Sequence, residues 1–227
     1  MKEVASVDKY KAVMKDMNYS LKQVERAKPI IKSLLNGGEI KAVEGNDNEI
    51  CLMLDRTCGT DYFQCYGQSD GKLDGLVWGV GSRFQSIRNG YKPFNTFSIR
   101  KSRESGANTE FAKRKFAINN GGIYPYLTMQ GYYDEVTGEI LSLAIAKTKD
   151  IWDYIESGNC QIRHTGANQI GQADFYVIPW DKYKQAGNKI KIYEKWSVDN
   201  EQGERKSVES NRGKDKRISE IVSQGHT

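Results

Sequence analysis

Histidine is nearly missing from this sequence: two occur in 227 residues, and His226 is the next to last. Histidine-rich metal centres are thereby all but excluded, and His164 is left as the one credible histidine for nucleophilic catalysis. Flanked by Arg163 and Thr165, with no partner carboxylate or nucleophile evident nearby in the chain, His164 reads as a loop residue. Cysteine is also sparse. Cys51, Cys58, Cys65 and Cys160 include no Cys-x-x-Cys pair, so neither a disulfide framework nor a cysteine zinc site is indicated, and buried thiols are the plain expectation. No stretch approaches the roughly 20 apolar residues that a membrane helix requires, and the first residues, MKEVASVDK, lack the apolar centre of a signal peptide. The expectation is a cytoplasmic protein with no membrane partner.

What is present is charge and aromatic surface. Hydrophobic residues make up 38% of the chain and charged residues 28%, toward the polar side of the globular range. The formal net charge of +5 is unevenly spread. Between Arg83 and Lys115 stand nine basic residues (Arg83, Arg88, Lys92, Arg100, Lys101, Arg103, Lys113, Arg114, Lys115) against Glu104 and Glu110, so this segment carries +7 and the remainder −2. Concentrated positive charge favours a polyanionic partner such as DNA or RNA, because phosphates release counterions to Lys and Arg. The plainer alternative is a solvated charged face. Thirteen Tyr, seven Phe and four Trp could stack on bases, although on a strand such rings more often pack the core.

Periodicity divides the chain. Ser6 can cap a helix with Val7, Tyr10, Met14 and Met17 on one face, and Ser20 with Gln23 opens a second, which Pro29 should kink or split and Gly37-Gly38 should end. The runs EIKAVEG, EICLML, TDYFQCYG, GLVWGVGSRFQ and FNTFSIRKS then read as strands of an antiparallel meander. A helix is expected from about Thr109 to Asn119, with Phe111, Ala112 and Phe116 facing the sheet. YPYLTMQGYY and EILSLAIAK follow as strands, Thr148 caps a helix, and DFYVIPWDKYK passes from a strand to a short helix at Pro179. Residues 1–196 are thus expected to form one α/β (α+β) domain, a central mixed sheet flanked by helices. Residues 197–227 are too polar to offset their ordering entropy and are expected to form a flexible basic tail.

If TDYFQCYG and GLVWGVGSRFQ form one hairpin, Asp61 at the start of the first strand meets Arg83 and Gln85 at the end of the second. Arg83 and Gln85, two apart, share a face. A carboxylate, a guanidinium and an amide would then gather at one rim. A separate possibility is the Ser102–Asn108 loop, whose backbone amides ahead of the Thr109 helix suit an anion. For Asp61 the competing reading is a turn residue bonded to backbone after Gly59.

The order of a helix, a meander carrying Asp61, a strand ending in charged and amide residues, and then a helix and strand resembles the PD-(D/E)xK nuclease superfamily. LSLAIAKTKDIWDYI and ADFYVIPWDKY are similar to the outer part of that restriction-endonuclease-like fold. The resemblance implies a Mg²⁺-dependent nuclease acting on DNA or RNA, or a degenerate relative of one. In it Asp61 would hold the metal, Arg83 and Gln85 would stand near the third motif, and Glu25 on the second helix would add a carboxylate. No Glu-x-Lys or Asp-x-Lys occurs on the GLVWGVGSRFQ strand, where the order Arg83-Phe84-Gln85 is reversed, and Asp55, Asp70 or Asp74 are alternative ligands. The alternative function is a non-catalytic DNA-, RNA- or protein-binding accessory or inhibitory factor. It would use the basic face 83–115, and under either function Arg88, Arg100, Lys101, Arg103, Lys113, Arg114 and Lys115 are the expected nucleic-acid-binding residues. Oligomeric state is left open, with a dimer among the options.

Overall fold

The computed structural model describes residues 22–43, 48–73, 75–88, 91–106, 108–164 and 172–195. The expected helix from Ser6, the cap at Ser20 and the tail from 197 lie outside these residues. A helix α1 spans 22–35 and runs unbroken through Pro29, whose ring lies on the exposed side. Asn36, Gly37 and Gly38 all take positive φ and end it.

Two sheets follow. The larger has six strands in the order β1 (Glu39–Ala42), β2 (Tyr62–Cys65), β3 (Val77–Ile87), β5 (Leu127–Asp134), β6 (Ile140–Lys147) and β9 (Ile190–Glu194). β1, β2 and β3 form the expected antiparallel meander, but β3 then pairs parallel with β5, so the sheet is mixed. The smaller sheet is antiparallel in the order β4 (Thr96–Arg100), β8 (Asp174–Pro179) and β7 (Gln161–His164). FNTFSIRKS thus leaves the meander to pair with a strand some 80 residues later.

EICLML is not a strand. It forms a short helix α2 (Glu49–Met53) that widens into a π-turn at Leu54–Cys58. Asn48 caps it, its side chain accepting from the Ile50 amide. Helix α3 (Glu110–Asn119) begins where expected, capped by the Thr109 hydroxyl, which accepts from the Ala112 amide at 3.3 Å. Its inward face differs from the expectation: Phe111 is half-buried, whereas Ala112 and Phe116 are exposed and the buried residue is Arg114. Helix α4 (Thr148–Glu156) has Lys147 in the capping position, and the buried Thr148 hydroxyl instead bonds Thr128 Oγ1 at 2.9 Å. Helix α5 (Trp180–Gln185) follows β8 directly at Pro179.

The large sheet separates two cores. On one face Val24, Ala27, Ile31 and Leu35 of α1 pack against Tyr62, Val80, Met129 and Leu143. At an upper estimate of about 25 cal/mol per Å² of apolar surface removed from water, each such side chain contributes about 1–3 kcal/mol. On the other face Tyr132, Ala144 and Ala146 meet Ile151 and Trp152 of α4, Phe97 and Ile99 of β4, and Trp180 and Tyr183 of α5. β5 is buried along nearly its whole length, yet every second residue on this face, Thr128, Gln130 and Tyr132, carries a polar group. That polar rank leads to the candidate site.

Candidate nucleic-acid interface

The hairpin of β2 and β3 brings Asp61 to Ser82, not to the expected pair: Arg83 goes to Glu110 and Gln85 stands opposite Tyr132. Tyr62 stands opposite Val80, and the Asp61 amide donates to Val80 O at 3.0 Å. β2 begins at Tyr62, so the Ser82 amide looks past the end of the ladder. The Asp61 carboxylate takes that position: Oδ2 accepts from Ser82 N and from Ser82 Oγ, the latter at 3.0 Å. Asp61 therefore closes the sheet ladder, close to the backbone-bonding reading weighed against a metal role. Its carboxyl is enclosed, and desolvation raises its pKa to about 6, although the Ser82 amide, Arg114 and the Ser82 hydroxyl all favour the charged form.

Behind Asp61 lies a buried ion-pair network. Arg114 donates to Glu110 Oε1 at 2.6 Å, to Thr128 Oγ1 at 3.2 Å and to Gly59 O at 2.9 Å, with its guanidinium 5.5 Å from the Trp152 ring centre. Two glycines make room. Gly59 takes φ +68° at the end of the π-turn, which turns its carbonyl to Arg114, and a Cβ at Gly81 would collide with the guanidinium. Glu110 reaches outward with its second oxygen to Arg83 at 3.6 Å. Arg114 is only 4% exposed. It therefore belongs to the interior rather than to a basic face, a correction to its grouping with the surface arginines.

Arg83 leads out to the smaller sheet. Its guanidinium lies 5.3 Å from the centre of the Phe175 ring, and that of Arg100 lies 5.4 Å from the same ring. In the strand register Phe175 of β8 stands opposite Arg100 of β4 on one side and Arg163 of β7 on the other, so the three side chains form a row on one face. Arg163 is exposed and lies 6.0 Å from the Phe94 ring, which packs edge-on to Tyr132. Gln85 stands opposite Tyr132 in the large sheet, half-buried. Burial lowers the Arg100 pKa, helped by the like charges of Arg83 and Arg103. Its Nε is buried with no hydrogen-bond partner among the described residues.

The remaining candidates are dispersed. Lys101 lies 5.6 Å from the Tyr176 ring, Arg103 and Arg88 are exposed, and Lys115 pairs with Glu156 at 2.7 Å. Lys113 is exposed on α3. Glu25 is exposed on α1 and pairs with Lys28, outside the face of that helix which packs on the sheet. His164 ends β7 rather than lying in a loop, and its Nδ1 is 2.6 Å from Asp174 Oδ1. That bond and one from Ser102 hold the Asp174 carboxyl below its usual range.

A magnesium ion would need oxygen donors free to turn toward it. Here Asp61 Oδ2 is bonded to Ser82, and the two oxygens of Glu110 pair with Arg83 and Arg114. Among the described residues no three of His, Cys, Asp and Glu gather as a metal cluster. The donor set as arranged fits guanidinium partners better than a divalent cation. Phe175 and Arg163 were missed by sequence reasoning, because only the β4–β8–β7 pairing brings them to Arg100. Among the described residues no helix is long and apolar enough to cross a membrane. Comparison with protein-family models, curated proteins and solved structures finds no match to this chain.

Proposed function

We propose that this protein binds nucleic acid, DNA or RNA, without cleaving it, on the surface where Arg83 of β3 meets Phe175 of the β4–β8–β7 sheet. The observation that carries this reading is the Phe175 ring between Arg83, Arg100 and Arg163. Arginines neutralise a phosphate backbone, while interleaved rings offer flat faces to unstacked bases, so the combination suits a single strand. The site is conspicuous for what its cations lack. Arg83 shares Glu110 with Arg114, and Arg100 and Arg163 form no ion pair with a carboxylate among the described residues. Holding like charges together costs energy that a polyanion recovers.

Binding of a labelled single-stranded oligonucleotide should weaken steeply between low and moderate salt. Reversing Arg100 and Arg163 together to Glu should lower affinity at least about tenfold and reduce the salt slope by about 1 to 2. Affinity that ignores both salt and the reversal would remove the reading. The nuclease suggested by the sequence pattern is the other outcome of the same assay: Mg²⁺-dependent shortening of the oligonucleotide, abolished in Asp61→Asn. An acidic protein as the true partner would show as binding that oligonucleotide does not compete.

A further inference from the structure

Next to the Arg83–Phe175–Arg100 surface, Arg100 and Arg103 line a cleft of about 460 Å³ together with Glu104, Ser105, Gln172 and Ala173. We infer that this cleft is a site for a phosphomonoester, a doubly charged phosphate esterified to the sugar of a free nucleotide or of a strand end.

Charge is the first argument. Arg100 stands between Arg83 and Arg103, and each is close enough to disfavour its protonated form. Neither Arg100 nor Arg103 makes an ion pair among the described residues, and the Nε of Arg100 is enclosed without an acceptor. Such an arrangement is unfavourable in isolation and becomes favourable when an anion supplies acceptor oxygens, which guanidinium forks bind in pairs. The one carboxylate in the lining is already engaged: Glu104 Oε2 accepts from the Gln172 amide at 3.4 Å.

Shape is the second. The smaller sheet ends at Arg100, and the chain turns away with the Lys101 amide donating to Asp174 O at 2.8 Å and the Glu104 amide to Gln172 O at 2.9 Å. These bonds fix the cleft's two walls to each other. A turn at Gly106, φ +68°, whose amide donates to Arg103 O at 3.0 Å, holds Ser105 in the lining. A volume of about 460 Å³ exceeds what a bare ion needs and falls in the lower part of the range of about 300–1,000 Å³ typical of small-ligand pockets. A nucleoside monophosphate is of that class, and so is the 5′-phosphorylated end of a strand lying on the Phe175 surface. Only the second source rests on the nucleic-acid reading.

The intact protein would be titrated with adenosine 5′-monophosphate, with adenosine, and with one oligonucleotide bearing either a 5′-phosphate or a 5′-hydroxyl. The monophosphate should bind and raise the melting temperature, whereas adenosine should not. Arg103→Glu, at an exposed position, should weaken monophosphate binding at least tenfold and leave the 5′-hydroxyl oligonucleotide within about twofold. Arg163→Glu should do the reverse. A further preference for the 5′-phosphorylated strand, lost in Arg103→Glu, would assign the cleft to strand ends, and its absence with monophosphate binding intact would assign it to free nucleotides. Equal binding of adenosine and its monophosphate, or monophosphate binding unchanged by Arg103→Glu, would overturn the inference. Failure of every oligonucleotide to bind would overturn the proposed nucleic-acid surface alone.

Discussion

Arg83 shares Glu110 with Arg114 and the Phe175 ring with Arg100, and these two arginines face opposite electrostatic conditions. Arg114 enters the protein with its counter-charge: Glu110 is one helical turn away on α3, and Thr128 and Gly59 supply two more acceptors. Arg100 enters with an aromatic ring and two like charges. A buried ion pair of the first kind adds little net stability over an apolar replacement but is costly to break by halves. The second kind is held by the surrounding fold and gains most when something else arrives. The contrast teaches where in one basic stretch to look for structure and where for binding.

Breaking the first region should give the largest effect. Arg114→Ala leaves Glu110 without its closest partner and opens a void beside Gly81 and Trp152, so the expected loss is about 3–5 kcal/mol in urea-induced unfolding. Arg100→Ala should cost far less, since it also relieves repulsion from Arg83 and Arg103. Similar losses for both variants would erase the distinction.

Asp61, close to Arg114 and Glu110, gives the next effect. Its pKa, raised from 3.8 to about 6 chiefly by desolvation, means that the folded protein prefers the neutral acid. The group's stabilising contribution is therefore fully present below about pH 4 and is lost as pH rises through about 6. At about 1.36 kcal/mol per pH unit, reduced because the residue as a whole is only half-buried, this contribution is worth about 2 kcal/mol. Asp61→Asn keeps a carbonyl oxygen for the Ser82 amide without the charge. The variant should gain on the natural protein at pH 7.5 and lose that advantage by pH 4 in parallel denaturant titrations. A difference that does not change with pH would mean that Asp61 is an ordinary ionised carboxylate.

Much of this arrangement was legible in the chain. β2 and β3 have alternating or continuous apolar runs bounded by Gly and Asp, which predict their pairing, but the partner of Asp61 is Ser82 rather than the expected Arg83 and Gln85. The mixed sheet flanked by helices followed from the same patterns. EICLML failed because a short apolar run does not separate strand from helix, and the deciding signal, Asn48 as a cap, is a single residue. The orientation of α3 failed for a different reason. Its face was assigned by hydrophobicity, but the pair Glu110 and Arg114, four residues apart, takes the inward side while Phe116 stays in solvent. The row of Arg100, Phe175 and Arg163 was hidden because it depends on a sheet whose strands are far apart in sequence, so no local pattern marks it.

The smallest effect sharpens the comparison most narrowly. Lys115 follows Arg114 directly on α3 and is also paired, to Glu156 at 2.7 Å, but both partners are about half-exposed. Its ammonium lies 5.9 Å from the Phe111 ring. Water screens such a pair, and fixing two long side chains in one geometry costs entropy. Lys115→Ala should therefore leave the denaturant midpoint unchanged within error at moderate salt, where Arg114→Ala shifts it strongly. Because the two positions share a helix, a chemistry and a carboxylate partner apiece, helix propensity and formal charge cancel from the comparison, and burial is left as the variable. A large loss in Lys115→Ala would show instead that the contact between α3 and α4 carries the stability here assigned to the Arg114 network.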